Sequence, residues 1–432
     1  MSAAAGYGEF RTGWPVVLAA MLGIGLGLSP VPFYTTGVFA PILAQQFGWS
    51  FAEILGGFPI LTFGVLFMSP VAGWLSDRHG VRPIAIGSCV LFALCYMSQA
   101  LLTGNLAFYY GIWSLMAIVG AGTLPVVWTR AVNNRFEVRK GLALGLSLLG
   151  TGLFGYVCKP LTASLIAHYG WRGAYIGIGL LPLVIALPVA LWGFHDVAGG
   201  ESIDERRERA AARAARTPGL TLSEAVRDWR FWLMGCAFVP ISFAVGGPIP
   251  NLENILRTNG FHASEVISLT QLVGLSVIFG RLVGGWLIDR IWAPAVALCL
   301  LGASALACLT LARGGFGYHE AAFSIAAIGS SAGLEYDLMA FFVARYLGMK
   351  SYGSIYGILY GFFALGAGIG PSVYGAAFDR AHSYTGVLAA SAGLFILGAV
   401  LLLALGRYRR FAPPLQPPAA LGPASARPAG TS

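Results

Sequence analysis

GWSFAEILGGFPILTFGVLFMSPVAGWLSDR (residues 48–78) and GFHASEVISLTQLVGLSVIFGRLVGGWLIDR (residues 260–290) are the same helix written twice. They align without a gap, matching at Gly48/Gly260, Glu53/Glu265, Gly73/Gly285, Trp74/Trp286, Asp77/Asp289 and Arg78/Arg290. Each holds an apolar run of about 20 residues, the length that crosses a bilayer core of roughly 30 Å. A membrane segment repeated half a chain later marks two copies of one membrane half, and paired halves of this kind enclose a site between them. One mismatch falls deep in the apolar run: Ser69 of the first copy is Arg281 in the second.

Composition extends this reading to the whole chain. Of its 432 residues 57% are hydrophobic and 10% charged, against roughly 25% charged in a soluble domain. Twelve apolar stretches can be read, at about 14–40, 52–75, 83–103, 107–133, 140–168, 172–194, 229–257, 263–288, 293–312, 319–346, 351–378 and 384–406. The expected architecture is an all-α integral membrane protein of twelve transmembrane helices in two pseudo-symmetric six-helix halves, 14–194 and 229–406. A short segment, 1–13, precedes the first half and lacks the basic, apolar and small-residue regions of a secretory signal, so the first span should be retained. The linker 195–228 carries the charged, Ala-rich run Glu201–Arg216, expected to form a surface helix, and then Thr217-Pro218-Gly219 as a break. The Pro/Ala/Gly-rich tail 407–432 lacks apolar periodicity and is expected to be disordered.

The net charge of +9 belongs to loops. Arg78, Arg82, Arg135, Arg139, Lys140, Arg206, Arg207, Arg209, Arg213, Arg216, Lys350, Arg407, Arg409 and Arg410 follow even-numbered spans or lie in the tail, whereas the other side carries little beyond Arg172, Arg257, Arg313 and Arg380. By the positive-inside rule both termini and the linker face the cytoplasm, and nucleic acid is not an expected partner. Arg heavily outnumbers Lys, as in GC-rich bacterial genomes, so a bacterial inner membrane is the expected location. The six cysteines lie in spans without C-x-x-C spacing and read as small buried residues. Histidines such as His79, His168, His262 and His319 have no metal-ligand spacing, and there is no phosphate-binding loop. Neither metal nor cofactor, nor ATP as an energy source, is expected, and no catalytic constellation suggests an enzyme.

Gly73-Trp74-Leu75-Ser76-Asp77-Arg78-His79-Gly80-Val81-Arg82-Pro83 resembles the signature loop between spans 2 and 3 of the major facilitator superfamily, and a degenerate copy recurs at Gly285–Arg290. Within it the chain is most similar to the monocarboxylate transporter and oxalate/formate antiporter branch, on Gly13-Trp14, Arg139–Gly145 and Gly280-Arg281. The resemblance implies alternating access, with the cluster of Gly73, Asp77, Arg78, Gly80 and Arg82, and its counterpart Asp289 and Arg290, latching the halves on the cytoplasmic side. The alternative is a solvated loop anchored by its charge. The chain departs from the branch where animal monocarboxylate carriers have an aspartate one turn before the arginine, here Val277. It departs again at Pro32–Thr36, where they carry a lysine, and at Gly357–Gly370, where the oxalate exchanger has a second cation.

Arg281 lies eight residues before Asp289, about 12 Å inside the helix end at 1.5 Å per residue. Burying it costs at least about 2.5–3.5 kcal/mol, so it should face a polar cavity or a partner. Its planar fork suits a carboxylate, and the resemblance implies a substrate-binding role; otherwise it holds backbone carbonyls or an acid of span 10. Lys159, toward the outer end of span 5, is either a second anion contact or snorkels to the interface. Glu335 and Asp337 lie at a depth similar to Arg281. They are candidate proton carriers, Asp337 preferred and Glu335 structural, or members of a charge relay with Arg290 and Arg345; Arg130 and Glu137 would form its counterpart in the first half. Phe33, Tyr34, Trp128, Tyr336, Tyr360 and Phe363 are candidate pocket walls, with Tyr34 and Tyr360 preferred for substrate contact. The expected activity is carriage of a small organic monocarboxylate, with a proton, by a monomer in the lipid bilayer. An anion exchanger and an efflux carrier for amphiphiles are the rival transport readings. A receptor would need a soluble output domain that neither linker nor tail is large enough to supply.

Overall fold

The structure, a computed structural model, describes residues 3–136, 140–193, 218–409 and 411. Its described residues are helical but for loops, turns and one isolated bridge, Gly219 to Gly348. Nine helical segments among them are long and apolar enough to cross a membrane. One of these, Leu142–Gly193, folds back at Gly170 (φ 70°, ψ 174°) and contains spans 5 and 6. Span 4 is split by a 3-10 turn at Ala121–Thr123 into Leu106–Val119 and Pro125–Arg135. Span 10, Tyr318–Phe342 with a π-helical turn at Val343–Leu347, is less apolar because it carries Glu335, Asp337 and several Gly and Ser residues. With these read as crossings, the order reaches the twelve expected.

The repeated stretches gain a structural reason. Gly48 and Gly260 both turn the chain through positive φ (71° and 88°), which glycine adopts without steric penalty. Two residues later the Glu53 carboxylate accepts from Ser50 N at 2.8 Å and Glu265 accepts from His262 N at 2.9 Å. Each glutamate closes a capping box that starts a spanning helix. At the other end Arg78 lies 5.7 Å from the Trp74 ring and Arg290 4.2 Å from the Trp286 ring. The matching residues thus start and finish the helices.

Spans 1 and 7 are broken in corresponding places. Span 1 runs as Ala3–Gly25 and Pro30–Phe47, span 7 as Trp229–Gly246 and Pro248–Thr258. Pro30, Pro32, Pro248 and Pro250 supply no N–H, so both helices are interrupted near the middle of the bundle. Interrupted helices at equivalent positions in two halves flank the binding site in carriers built this way. Span 1 begins as a helix at Ala3, earlier than its apolar run.

Four cysteines are buried, but Cys236 and Cys299 are exposed. The expectation of six buried thiols is corrected at these two, because a helix side directed away from the bundle is apolar surface without being interior. Glu137, Arg139, Arg206, Arg207, Arg209, Arg213, Arg216, Arg410 and the side chains of Asp77 and Lys140 lie outside the described residues. Of the linker, residues 218–228 are described. Leu220 N donates to Leu347 O at 2.8 Å and Met349 N to Pro218 O at 3.1 Å, which ties the linker's end to the end of span 10.

Candidate functional site

Arg281 sits where spans 5, 8 and 10 meet. Glycines permit the approach: a Cβ at Gly280 would overlap the backbone of Ser330, and one at Gly333 would overlap the Val277 carbonyl. With spans 8 and 10 this close, Arg281 Nε lies 3.4 Å from Gly333 O and 3.5 Å from Asp337 Oδ2. Its Nη1 donates to Leu148 O of span 5 at 2.9 Å, so one guanidinium joins the two halves. The Arg281 side chain is 9% exposed and that of Asp337 30%. The cation is therefore enclosed while its acid looks toward open space. Both contacts weighed as alternatives to substrate, backbone carbonyls and an acid of span 10, are present in this conformation.

An aromatic group on spans 10 and 11 includes Tyr336, the residue before Asp337. Tyr336 packs against Phe363 and Tyr360 with ring centroids 4.6 and 6.1 Å apart, and Tyr360 stacks on Phe363 at 5.7 Å. Tyr34 is buried, edge-on to Phe33 at 5.3 Å, and lies flat against Gly155 of span 5. Trp128 differs: it is fully buried inside the first half, donating from Nε1 to Gly122 O at 3.1 Å, and is a packing residue. Glu335 is buried next to the aromatic group. There it lines a small cavity with Phe238, Ile241, Leu300, Ser331 and Leu338, and its Oε2 has no hydrogen-bond partner among the described residues.

Lys159 does not snorkel. It is buried and its Nζ meets Glu253 Oε1 of span 7 at 2.5 Å. Near it the face opposite the termini is shut by further links between the halves. Asp379 of span 11 accepts from Phe51 N at 2.9 Å and Ala52 N at 2.7 Å, capping the positive start of span 2. Ser372 Oγ donates to Leu55 O at 2.7 Å. Glu253 and Asp379 were not singled out in the sequence. The signal for Glu253 was available, an acid between Pro250 and Arg257 inside an apolar span.

The signature loop holds its own half together. Arg82 Nη2 donates to Leu191 O of span 6 at 3.1 Å, and Arg130 Nη1 to Ser76 Oγ at 3.4 Å. Gly80 makes the turn with φ 90°, whereas Gly73 faces open space. Asp289 is an exposed helix cap and Arg290 bonds back to Trp286 O at 3.4 Å. Arg345 packs over Phe341 and Tyr408, and of Glu335 and Asp337 it is Asp337 that lies beside a cation, Arg281.

Residues 17–371 match the Major Facilitator Superfamily. The chain belongs to that superfamily. The transporter is 28% identical over 87% of its length to an uncharacterized 38 kDa protein of the 23S RNA operon of Thermoproteus tenax, covering 92% of it. It is 27% identical over 91% of its length to human monocarboxylate transporter 11, covering 83% of that protein. Among solved structures it is similar in fold to a bacterial homolog of the human lysosomal transporter Spinster, in an inward-facing, unoccupied conformation. That match has a TM-score of 0.65 and 18% identity, over 92% of this chain and 95% of the other. Family and fold together make this a multi-pass membrane transporter, not an enzyme.

Proposed function

We propose that the transporter carries a small organic monocarboxylate by alternating access, anchored by Arg281 and accompanied by a proton held on Asp337. The carrying observation is the enclosed guanidinium at the seam, 9% exposed and bonded to both halves. A cation so placed feels any rearrangement of the halves, and a bound carboxylate can replace one of its internal partners. The naming of relatives as monocarboxylate transporters supports the substrate class. A single arginine at mid-seam suits one carboxylate, and Tyr34, Tyr360 and the stacked ring of Phe363 suit an aromatic or apolar remainder. Asp337 beside the guanidinium can exchange its proton as Arg281 turns to substrate, while Glu335, buried in the second half, is structural. Lys159 is a second contact toward the far face. Asp77, Arg78 and Arg82 set the balance between conformations. The two halves, 14–194 and 229–406, rock as units in a bacterial inner membrane, with both termini cytoplasmic by their positive charge and the monomer as the working form.

The test is uptake of a panel of labelled carboxylic acids into proteoliposomes, with and without an imposed pH gradient. Accumulation of a monocarboxylate that responds to the gradient is expected. Uptake indifferent to the gradient would make the protein an anion exchanger or facilitator. Transport of uncharged or cationic amphiphiles in place of acids would overturn the reading in favour of an efflux carrier.

A further inference from the structure

The Lys159–Glu253 pair is the most enclosed ion pair among the described residues, with side chains 2% and 5% exposed. Lys159 belongs to span 5 of the first half and Glu253 to span 7 of the second, so the pair crosses the seam. Only one carboxylate oxygen is used. Glu253 Oε2 is buried without a hydrogen-bond partner among the described residues and lies against Gly37 of span 1. A Cβ at Gly37 would overlap both this carboxylate and the Pro250 carbonyl.

Two features argue against a purely structural strut. A buried ion pair is often no more stabilising than apolar residues of the same volume. Buried carboxylate oxygens are also normally satisfied, whereas here one is left bare. The pair additionally joins the parts that must separate when this face opens. Separation leaves the Lys159 ammonium facing the widening cleft without its anion. A carboxylate arriving from that side presents the group that Glu253 has just withdrawn.

We infer that Glu253 is an internal stand-in for the substrate's carboxylate: Lys159 holds Glu253 while this face is shut and receives the substrate's carboxylate while it is open. The inference rests on the monocarboxylate reading above and adds its regulation. The face can reclose only when the substrate has left Lys159, so transfer of the acid inward and closure behind it become one event. The ligand class is a small anion with a free carboxylate. An ester or amide of the same acid lacks the charge to displace Glu253.

The experiment uses the full chain in proteoliposomes of sorted orientation, with two readouts. The first is alkylation of the native, buried Cys158, adjacent to Lys159, by a membrane-impermeant maleimide. Peptide mass spectrometry separates it from the exposed Cys236 and Cys299. The second is the half-saturating concentration of labelled benzoate and lactate applied from the face opposite the termini. Glu253→Gln should raise Cys158 labelling several-fold, because the shut state then holds an unpaired ammonium. Lys159→Gln should raise the half-saturating concentration about tenfold or more, the scale of one lost charge-assisted bond, and Lys159→Arg should recover most of it. The deciding variant is Lys159→Gln/Glu253→Gln: labelling should return near the unmutated level while the half-saturating concentration stays high. Recovery of both in the double variant would show a gate with no receptor role and overturn the stand-in, as would unchanged labelling in Glu253→Gln. Failure of the unmutated protein to take up any acid overturns the monocarboxylate reading itself. Normal uptake with no change in any variant overturns the stand-in alone.

Discussion

Replacing Arg281 with lysine keeps the charge and removes the fork. In the structure Nη1 reaches Leu148 O at 2.9 Å, while Nε lies 3.4 Å from Gly333 O and 3.5 Å from Asp337. A guanidinium has five N–H donors in a fixed plane and can hold these partners and a carboxylate together; one ammonium nitrogen cannot. A hydrogen bond to a charged group is worth about 1.5–3 kcal/mol. At about 1.4 kcal/mol per factor of ten, losing one raises the half-saturating concentration about 10- to 150-fold. Arg281→Gln goes further and leaves Asp337 without its cation. Breaking a fully buried pair costs about 3–5 kcal/mol, but Asp337 is 30% exposed, so solvent screening reduces the loss to about 1 kcal/mol. Arg281→Gln/Asp337→Asn should therefore recover thermal stability and still fail to transport. The assay is initial-rate uptake in proteoliposomes at matched protein levels, with melting in detergent as the stability measure. Lysine and glutamine variants that both transport at near wild-type rates would refute the anchoring role.

Asp337→Asn should abolish accumulation driven by a pH gradient while leaving exchange of labelled for unlabelled anion measurable; loss of exchange as well would make Asp337 part of binding. Asp77→Asn should slow turnover without reordering competing acids in an inhibition series, and a changed order would move the signature loop into the binding path. Gly37→Ala should push a methyl group into the Glu253 carboxylate and the Pro250 carbonyl and favour the state open on that face. It is checked by severalfold faster Cys158 alkylation, and an unchanged rate would mean that spans 1 and 7 do not close as described.

Legibility in the sequence divides along physical lines. The repeat at 48–78 and 260–290 was readable because its residues act locally: Glu53 and Glu265 cap their own helices, and Trp74 and Trp286 lie one turn from Arg78 and Arg290. Arg281 was readable because a cation deep in an apolar run is costly wherever it points. Its partners were not, since Leu148 O and Asp337 are 133 and 56 residues away and are chosen by helix packing. The same holds for Asp379, whose bonds to Phe51 and Ala52 span more than 300 residues. Trp128 and Tyr34 are both aromatic residues of apolar spans, yet one packs inside a half and the other lies at the seam. Only the rotation of each helix separates them.

The symmetric residues and the charged ones are different sets, and the difference bears on mechanism. In the gapless match of 48–78 with 260–290 Arg281 corresponds to Ser69, and at the breaks of spans 1 and 7, where Pro30 and Pro32 match Pro248 and Pro250, Glu253 corresponds to Thr35. Helix starts, turns and stacked tryptophans were kept in both copies because each half must fold and turn its chain in the same way. Charges at the seam were not, because a second arginine at position 69 would add another cation to an apolar core already holding Arg281, and Asp337 could neutralise one of them at most. A single cation with an internal acid leaves the resting seam neutral, as does Lys159 with Glu253 at the shut face. On the reading we propose, an incoming carboxylate competes with an internal one at each station, and the anion moves between two sites without stranding a charge in the membrane. On that reading the asymmetry between the halves is what lets a symmetric frame carry a charged cargo.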